Sequence, residues 1–155
     1  MTPSVVHVVV PAHNEGRRVG SCLRALAAAR CALAAARPGL VVSTTLVLDR
    51  CSDDTLASAL ENVGPHPLRL VTINAGCVGS ARRHGVRHAV SANPAAAEDT
   101  WIVTTDADST VSESWLIDHV RFAQRHDLVV GRVSPDPDEL TPPHGPSRAG
   151  GRCGG

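Results

Sequence analysis

Hydrophobic and polar positions along the chain form two alternating patterns. Near-continuous apolar runs rich in β-branched residues predict strands that are covered on both faces. Five such runs occur: VVHVVV (5–10), LVVSTTLVL (40–48), LRLVTI (68–73), TWIVTT (100–105) and DLVVGRV (127–133). Between them, apolar residues recur every three or four positions, which predicts amphipathic helices. This alternation predicts an α/β fold, with a mainly parallel sheet flanked by helices.

Four helices are predicted, each with one apolar face. The face of the first helix is formed by Val19, Cys22, Leu26, Ala29 and Leu33. The second helix has Ser52 as its N-cap, and its face is formed by Leu56, Leu60 and Val63. The third runs from about Gly79 to Ala92. The fourth begins at a Ser112 cap, and its inward face is formed by Leu116, Val120 and Ala123.

The apolar pattern ends near residue 133. The segment 134–155 is rich in proline and glycine and has no apolar periodicity. A segment of this composition buries too little apolar surface to fold, so we predict a disordered tail. Because 43% of the 155 residues are hydrophobic, residues 1–133 can bury a single core and form one domain.

The charge composition excludes several classes of protein. Lys plus Arg and Asp plus Glu both number 15, so the formal net charge is zero and we expect no binding to nucleic acid. Every basic residue is an arginine. Enzymes that depend on a phosphate-loop lysine, a Schiff-base lysine or a lysine general base are therefore excluded.

Cysteine usage and the N-terminus bear on the cellular location. The five cysteines are odd in number and lack CxxC spacing, which argues against a disulfide framework and a zinc site. The N-terminus has no signal-peptide pattern, and the Ala-rich segment 25–36 is too short to span a bilayer. We therefore expect a cytoplasmic protein with no transmembrane segment.

Polar or glycine-rich segments follow four successive predicted strands. They are PAHNE (11–15), DRCSDD (49–54), NAGCVGSARRHG (74–85) and DADS (106–109). Ligands of open α/β sheets bind outside the carboxyl ends of the strands, so we expect these segments to meet at one edge. There Asp49 can accept a hydrogen bond from a base or ribose, and Arg82 with the N–H groups of Gly79 and Ser80 can hold a phosphate. The alternative is structural: the glycines permit a tight turn, and Asp49 and Asp53 are loop or capping residues.

Two carboxylates, Asp106 and Asp108, stand one residue apart at the end of the fourth predicted strand. Alternation along a strand predicts that both lie on the same side. Mg²⁺ and Mn²⁺ prefer oxygen ligands, and clustered carboxylates near a diphosphate supply them. The alternative is a polar strand end in which aspartate forms a turn. The glycine spacing is neither GxGxxG nor a phosphate loop, so a nicotinamide cofactor finds no support.

In this order the segments resemble those of family 2 glycosyltransferases of the GT-A type. The matching pieces are VVVPAHNEGRRVGSCLRAL, LVLDRCSDDT against the family's Val-Asp-Asp-Gly-Ser-x-Asp-Gly-Thr, VGSARRHGV against its Gly-x-Ala-Arg-Asn-x-Gly, and TTDADSTVSESWL against its Asp-x-Asp region. Together they cover residues 5 to about 133. The chain departs from the family pattern in places, because Arg50, Cys51 and Asp54 replace Gly, Ser and Gly, and Arg83 replaces Asn.

The resemblance implies a Rossmann-like GT-A fold that binds a nucleotide-diphospho-sugar donor. It implies a nucleotide site formed by Pro11, Ala12, Glu15, Asp49, Arg82 and Asp106. In that site Asp49 would read the base, Arg82 would lie near the diphosphate and Asp106 near the ribose or sugar. Asp108 would bind a divalent cation, Mg²⁺ or Mn²⁺, which neutralises charge on the departing nucleoside diphosphate. The reaction would be an inverting transfer of the sugar to an unknown acceptor.

The chain is short for this family. Only 47 of the 155 residues follow Asp108, whereas the family continues into an acceptor-binding half that carries the general base. The chain therefore resembles a truncated enzyme that is inactive alone. The acids of the tail, Asp136, Asp138 and Glu139, lie in unpatterned sequence, and we assign no catalytic residue. Two alternatives stay open: a nucleotidyltransferase, and a non-catalytic remnant that binds a nucleotide or a partner.

Overall fold

The computed structural model describes residues 2–92 and 94–135. Its four strands are β1 (Val5–Ala12), β2 (Val41–Asp49), β3 (Leu68–Ile73) and β4 (Thr100–Thr104). Its four α-helices are α1 (Val19–Ala36), α2 (Thr55–Glu61), α3 (Val78–Ala92) and α4 (Trp115–Ala123), and a 3₁₀ helix (Pro94–Asp99) precedes β4. The strands form one parallel sheet in the order β3-β2-β1-β4. The predicted α/β fold with a parallel sheet is confirmed.

The central strand β1 organises the core because it pairs with both β2 and β4. Its side chains alternate between the two faces of the sheet. Val6, Val8 and Val10 pack into the larger apolar cluster with residues of α1 and α4. Val9 faces the other way and packs with Val47 in a smaller cluster under α3. The sheet is thus covered on both faces, as its near-continuous apolar strands predict.

A glycine allows α3 to lie close to the sheet. A Cβ atom on Gly85 would lie 2.3 Å from Cγ1 of Val9 and 3.0 Å from Cγ2 of Val47. Such distances exclude any side chain unless the helix moves away. The close approach suits a core with few aromatic residues, and it fixes the height of α3 above β1 and β2.

The predicted fifth strand, residues 127–133, is wrong. The segment contains no strand, and Leu128 and Val130 are 79% and 84% exposed. A strand needs a neighbour that completes its backbone hydrogen bonds and a surface that covers its apolar side chains. Within the described residues no strand pairs with this segment, and Val129 alone among these residues packs against the core.

Three helices test the prediction that apolar residues recurring every three or four positions form the buried face. All five predicted core positions of α1 and all three of α4 are buried. In α2, however, Thr55 and Ala59 are buried, whereas Leu56 and Leu60 are exposed. The predicted face is therefore wrong for α2, and the helix begins at Thr55 rather than just after Ser52. Small side chains let this two-turn helix pack on the rest of the fold, and periodicity alone does not anticipate that choice.

Helix α1 extends beyond the Ala-rich segment 25–36, which by itself is too short to span a bilayer. Of the described helices it is the one that is long and apolar enough to cross a membrane. In this structure one face of α1 lies in the core, and Arg30 on that helix is buried. The Arg30 guanidinium donates to the hydroxyl of Thr44 and to the carbonyls of Val42 and Pro67. Here α1 is a core helix, and the expected lack of a transmembrane segment stays a prediction.

The sheet contains a buried histidine that the sequence pattern did not single out. His7 on β1 is almost fully buried. Its Nε2 lies 2.9 Å from Oγ1 of Thr45, and its Nδ1 lies 2.6 Å from Oγ of Ser43. Burial, with the nearby charges of Arg69 and His88, lowers the pKa of His7 to about 4. The fold therefore holds this imidazole neutral.

This arrangement predicts that acid weakens the fold through His7. The native state binds the proton only near pH 4, whereas the unfolded chain binds it near the ordinary value of 6.5. The free energy of unfolding should therefore fall as the pH drops from 6.5 to 4, by roughly 3 kcal/mol from this residue. Urea unfolding followed by circular dichroism over this pH range measures the loss.

The variant His7→Gln isolates the contribution of this residue. Glutamine can keep a hydrogen bond to Thr45 or Ser43 but does not titrate, and every other titrating group is common to both proteins. The difference in free energy of unfolding between wild type and variant should change across the range. Parallel pH profiles of the two proteins would contradict the account.

Candidate functional site

The four polar segments meet at the carboxyl edge of the sheet. Ala12 pairs with Leu48 where β1 and β2 end, and Asp49 pairs with Ile73 where β2 and β3 end. Strand β4 ends at Thr104, opposite Val9. Since all four strands run in parallel, the segments after them lie along one edge of the sheet.

The segments after β1 and β2 are joined to one another by hydrogen bonds. The bonds run from the amide of Ser52 to Oδ1 of Asn14 (2.8 Å), from the amide of Glu15 to Oγ1 of Thr55 (2.8 Å) and from the amide of Gly16 to Oδ2 of Asp53 (2.9 Å). The Asp53 carboxylate also accepts from the amide and hydroxyl of Thr55. Hydrogen bonds from Thr55 and from the Gly16 amide lower the pKa of Asp53. Asp53 thus has the structural role that its position predicted.

Asp49 joins the end of β2 to the loop between β3 and α3. Its Oδ1 accepts from the amides of Ala75 (2.8 Å) and Gly76 (2.9 Å), and its Oδ2 accepts from the amide of Cys77 (3.0 Å). The residue is only 3% exposed. Burial opposes ionisation, but the bonds from Gly76, Ala75 and Cys77 together outweigh it and lower the pKa of the carboxyl. The Asp49 carboxylate is therefore an anchor for this loop, and base recognition by it stays a prediction.

A cysteine lies at the start of α3, where the phosphate cradle is predicted. Gly76, just before the helix, has φ of 63°, a conformation that glycine adopts readily. Hydrogen bonds from the amides of Ser80 and Gly79 lower the pKa of the Cys77 thiol. The Cys77 thiol therefore lies near the N–H groups expected to face a phosphate, and phosphate binding by them stays a prediction.

Arg82 and Asp106 lie together. An Nη2 hydrogen of Arg82 is donated to Oδ1 of Asp106, and both side chains are partly exposed, at 40% and 46%. Nε of Arg82 is buried and has no hydrogen-bond partner in the part of the chain described. The pair joins α3 to the segment after β4, so two predicted nucleotide-site residues meet at the edge.

The two aspartates after β4 lie in a turn rather than on the strand. Strand β4 ends at Thr104, and the amide of Ser109 donates to the carbonyl of Asp106 at 3.1 Å. Alternation of side chains ends with the strand, so it does not place Asp106 and Asp108 on the same side, and the prediction based on it is wrong. Both carboxylates nevertheless lie near one thiol. Burial, Asp108 and Asp106, in that order, raise the pKa of Cys22 to about 12.

Glu15 and Asp108 form an acidic region beside the pair of Arg82 and Asp106. Burial raises the pKa of Glu15, and the charges of Asp108 and Asp53 raise it further against the opposing charges of Arg18 and His13. Among residues 2–92 and 94–135, no group of three or more His, Cys, Asp or Glu side chains could by itself hold a metal ion. A cation at Asp108 would therefore need oxygen ligands from a bound molecule.

Pro11 and Ala12 are the last residues of β1 rather than part of the loop after it. Both are buried. The loop begins at His13, whose Nδ1 lies 2.7 Å from the carbonyl oxygen of Asp49. Pro11 and Ala12 thus form the end of the central strand beneath the edge, where the site was predicted.

Comparison with known proteins identifies the family. The profile described as Glycosyl transferase family 2 matches residues 7–151. The chain belongs to glycosyltransferase family 2. No curated protein sequence matches the chain significantly.

The fold of this family 2 chain is similar to that of S. aureus TarS. The crystal structure of TarS 1-349 aligns with a TM-score of 0.61 at 21% identity, over 84% of this chain and 38% of that chain. The complex of TarS 1-349 with UDP-GlcNAc gives a TM-score of 0.61, also at 21% identity, over 84% and 37% of the two chains. A glucosyl-3-phosphoglycerate synthase from M. tuberculosis gives 0.48 at 18% identity, over 73% and 38%. The likeness to TarS confirms the predicted GT-A fold, and the family 2 chain spans well under half of these structures.

Sequence reasoning missed the residues that hold the loops of this family 2 site in place. Thr55 and Asn14 connect the first two loops. The backbone amides they bind, those of Glu15 and Ser52, lie 40 and 38 positions away in the sequence, and no apolar pattern marks these residues. The parallel sheet predicts that these loops are neighbours, but which atoms meet depends on the local backbone. Asn14, for example, has φ of 56°.

The role of Asp49 as an anchor leads to a testable prediction. In Asp49→Asn, a side-chain N–H would face at least one backbone N–H of the loop at residues 75–77, and the charge that strengthens the three bonds would be lost. We expect the free energy of unfolding to fall by about 1–3 kcal/mol. Chemical denaturation measures the loss, and amide hydrogen exchange at Ala75, Gly76 and Cys77 should become faster.

Asp127→Asn is the matched control. It makes the same chemical change at an exposed residue away from the edge. It should leave both stability and loop exchange unchanged. If Asp49→Asn also left loop exchange at the wild-type rate, the Asp49 carboxylate would not be the anchor.

Proposed function

We propose that the chain binds a nucleoside diphosphate sugar at the carboxyl edge of its sheet, as the donor-binding part of an inverting glycosyltransferase. The observation that carries the proposal is the convergence of four family 2 segments at that edge. Ligands of open α/β sheets bind there. A solved structure of similar fold, TarS 1-349, contains UDP-GlcNAc. These facts favour a nucleotide sugar over the substrates of a nucleotidyltransferase.

In the proposed complex the base and ribose lie over β1 and β2, near Pro11, Ala12, Glu15 and Asp49. The Asp49 carboxylate uses Oδ1 for two backbone bonds and Oδ2 for one, so Oδ2 keeps a lone pair for a base N–H. Recognition of the base by Asp49 is therefore compatible with its anchoring role.

The diphosphate lies next to Arg82 in this proposal. The guanidinium has five N–H donors in a planar fork, and its bond to Asp106 uses only part of them. Asp106 holds the fork in position while the remaining donors face the diphosphate oxygens. Asp106 itself lies near the ribose or the sugar.

The acidic region fits a divalent cation. Burial and, after it, the charge of the exposed Asp108 raise the pKa of Glu15, so the two carboxylates repel one another. Mg²⁺ sites often use one or two carboxylates together with substrate phosphates and water. Asp108 would hold Mg²⁺ or Mn²⁺ together with the diphosphate. The bound ion would neutralise negative charge on the departing nucleoside diphosphate.

The acceptor side of the reaction stays unassigned. An inverting transfer needs a base that takes the proton from the acceptor hydroxyl. The acids considered for that role, Asp136, Asp138 and Glu139, lie outside the described residues, as does nearly all of the predicted tail. The acceptor, the general base and the cytoplasmic location stay predictions.

The cation assignment predicts that donor binding depends on Asp108. Isothermal titration calorimetry with UDP, GDP, CDP and dTDP should detect binding in Mg²⁺ or Mn²⁺. Chelation should weaken it, because the ion would offset the repulsion between Asp108 and the diphosphate. Asp108→Asn should weaken it by about tenfold, which corresponds to about 1.4 kcal/mol.

Asp127→Asn serves again as the control, since it removes one exposed carboxylate elsewhere on the surface. It should bind nucleotide like the wild type. Equal affinity with and without chelator would remove the cation from the account. Failure of every nucleoside diphosphate to bind would overturn the proposed function itself.

A further inference from the structure

An arginine stands at an unusual position in the candidate site. Arg50 directly follows β2, and its φ is 55°, a backbone conformation that residues with side chains adopt much less readily than glycine. Its amide donates to the carbonyl of Ile73 at 3.2 Å and so extends the pairing of β2 with β3 by one residue. This is one of the positions at which the chain departs from the family's glycine.

The Arg50 side chain lies across Gly76. A Cβ atom on Gly76 would lie 2.6 Å from Nη1 and 3.3 Å from Cδ of Arg50. A side chain at residue 76 would displace the guanidinium from this position. Asp49 holds the loop beneath it through the amides of Ala75, Gly76 and Cys77. Arg50 thus rests on a loop that a buried carboxylate fixes in place.

The guanidinium of Arg50 keeps its donors available. The residue is exposed, and no described side chain or carbonyl accepts a hydrogen bond from this guanidinium. On the opposite side of the β2 end, the His13 ring is bonded to the carbonyl of Asp49. Arg50 therefore presents a planar group of unused donors at the edge, between the loops that follow β1 and β3.

We propose that Arg50 reads the nucleobase of the donor, by donating to the carbonyl oxygen at position 4 of the base. The inference rests on the proposed function, because it places the base over the ends of β1 and β2. Arginine recognises bases through their acceptor atoms. Uracil has an oxygen at position 4, which accepts a hydrogen bond. Cytosine has an amino group there, and this donor cannot accept a hydrogen bond from the N–H groups of the arginine. Arg50 therefore favours uracil over cytosine.

UDP and CDP are the matched ligands that test this proposal. The wild type should bind UDP about tenfold more tightly than CDP in the presence of Mg²⁺. Arg50→Met keeps the length of the side chain but removes its donors, so the ratio of the two dissociation constants should fall to about threefold or less. UDP and CDP also differ at N3, so the ratio measured for the wild type alone does not isolate the contact of Arg50. The decisive quantity is the change in the ratio of dissociation constants between wild type and Arg50→Met.

Inorganic pyrophosphate separates recognition of the base from recognition of phosphate. Its affinity should be the same for wild type and Arg50→Met. Arg125→Met is the matched control, because Arg125 is exposed just after α4 and away from the edge. It should leave the UDP to CDP ratio and pyrophosphate binding unchanged.

A second variant guards against a folding defect. Arg50→Gly places the residue that tolerates positive φ best at this position, so its midpoint of thermal unfolding should not lie below that of the wild type. It should lose discrimination between UDP and CDP as Arg50→Met does.

The outcomes distinguish the inference from the proposed function. If the wild type binds nucleotides and both variants keep its UDP to CDP ratio, the inference is wrong and the proposed function stands. If Arg50→Met weakens pyrophosphate as strongly as UDP, Arg50 binds the diphosphate and the inference is again wrong. If no nucleotide binds the wild type, the proposed function fails and this inference fails with it.

Discussion

A buried carboxylate at the end of β2 holds together the edge on which the candidate site depends. An ionised group with so little solvent must have its oxygens satisfied by donors, and Asp49 achieves this through three consecutive backbone amides. The same bonds fix the path of the chain from β3 into α3. They thereby set the position of Gly76, and with it the surface on which Arg50 rests. They also set where α3 begins, which places Arg82 above the segment that follows β4.

The edge carries charges of both signs in separate places. On one side, burial and the charge of Asp108 raise the pKa of Glu15, and Arg82 is paired with Asp106 close by. Arg50 adds an exposed cation beside β3. A nucleoside diphosphate with a divalent cation has the complementary distribution, because its phosphates need positive partners and its cation needs carboxylates. The charges of the edge therefore match those of the proposed ligand of this family 2 chain.

Much of the fold was predictable because burial leaves a clear trace in the sequence. The strands of a parallel sheet are covered on both faces, and their runs of Val, Leu and Ile correctly predicted four of them. The segment 127–133 has the same composition, but a strand also needs a neighbour, which composition does not reveal. In α2 the small residues Thr55 and Ala59 are buried in place of the leucines, a choice set by packing distance.

The site was predictable only in outline. Parallel strands bring their carboxyl ends together, so the meeting of the four segments followed from the topology. The anchoring role of Asp49 and the bond between Arg82 and Asp106 join residues 24 to 28 positions apart. Such bonds depend on loop backbone conformations, including the positive φ of Arg50 and Gly76. These conformations are not encoded in any simple periodic pattern.

The central claim is that the carboxyl edge of the sheet is the donor site, and backbone NMR during a titration tests it most directly. UDP and Mg²⁺ would be added to the ¹⁵N-labelled chain while each amide is followed. The account predicts that shift changes concentrate at Glu15, Arg50, Gly76 and Asp108, and that amides at the opposite edge, such as Leu40 and Leu68, stay unchanged. Shift changes centred on the opposite edge would contradict it.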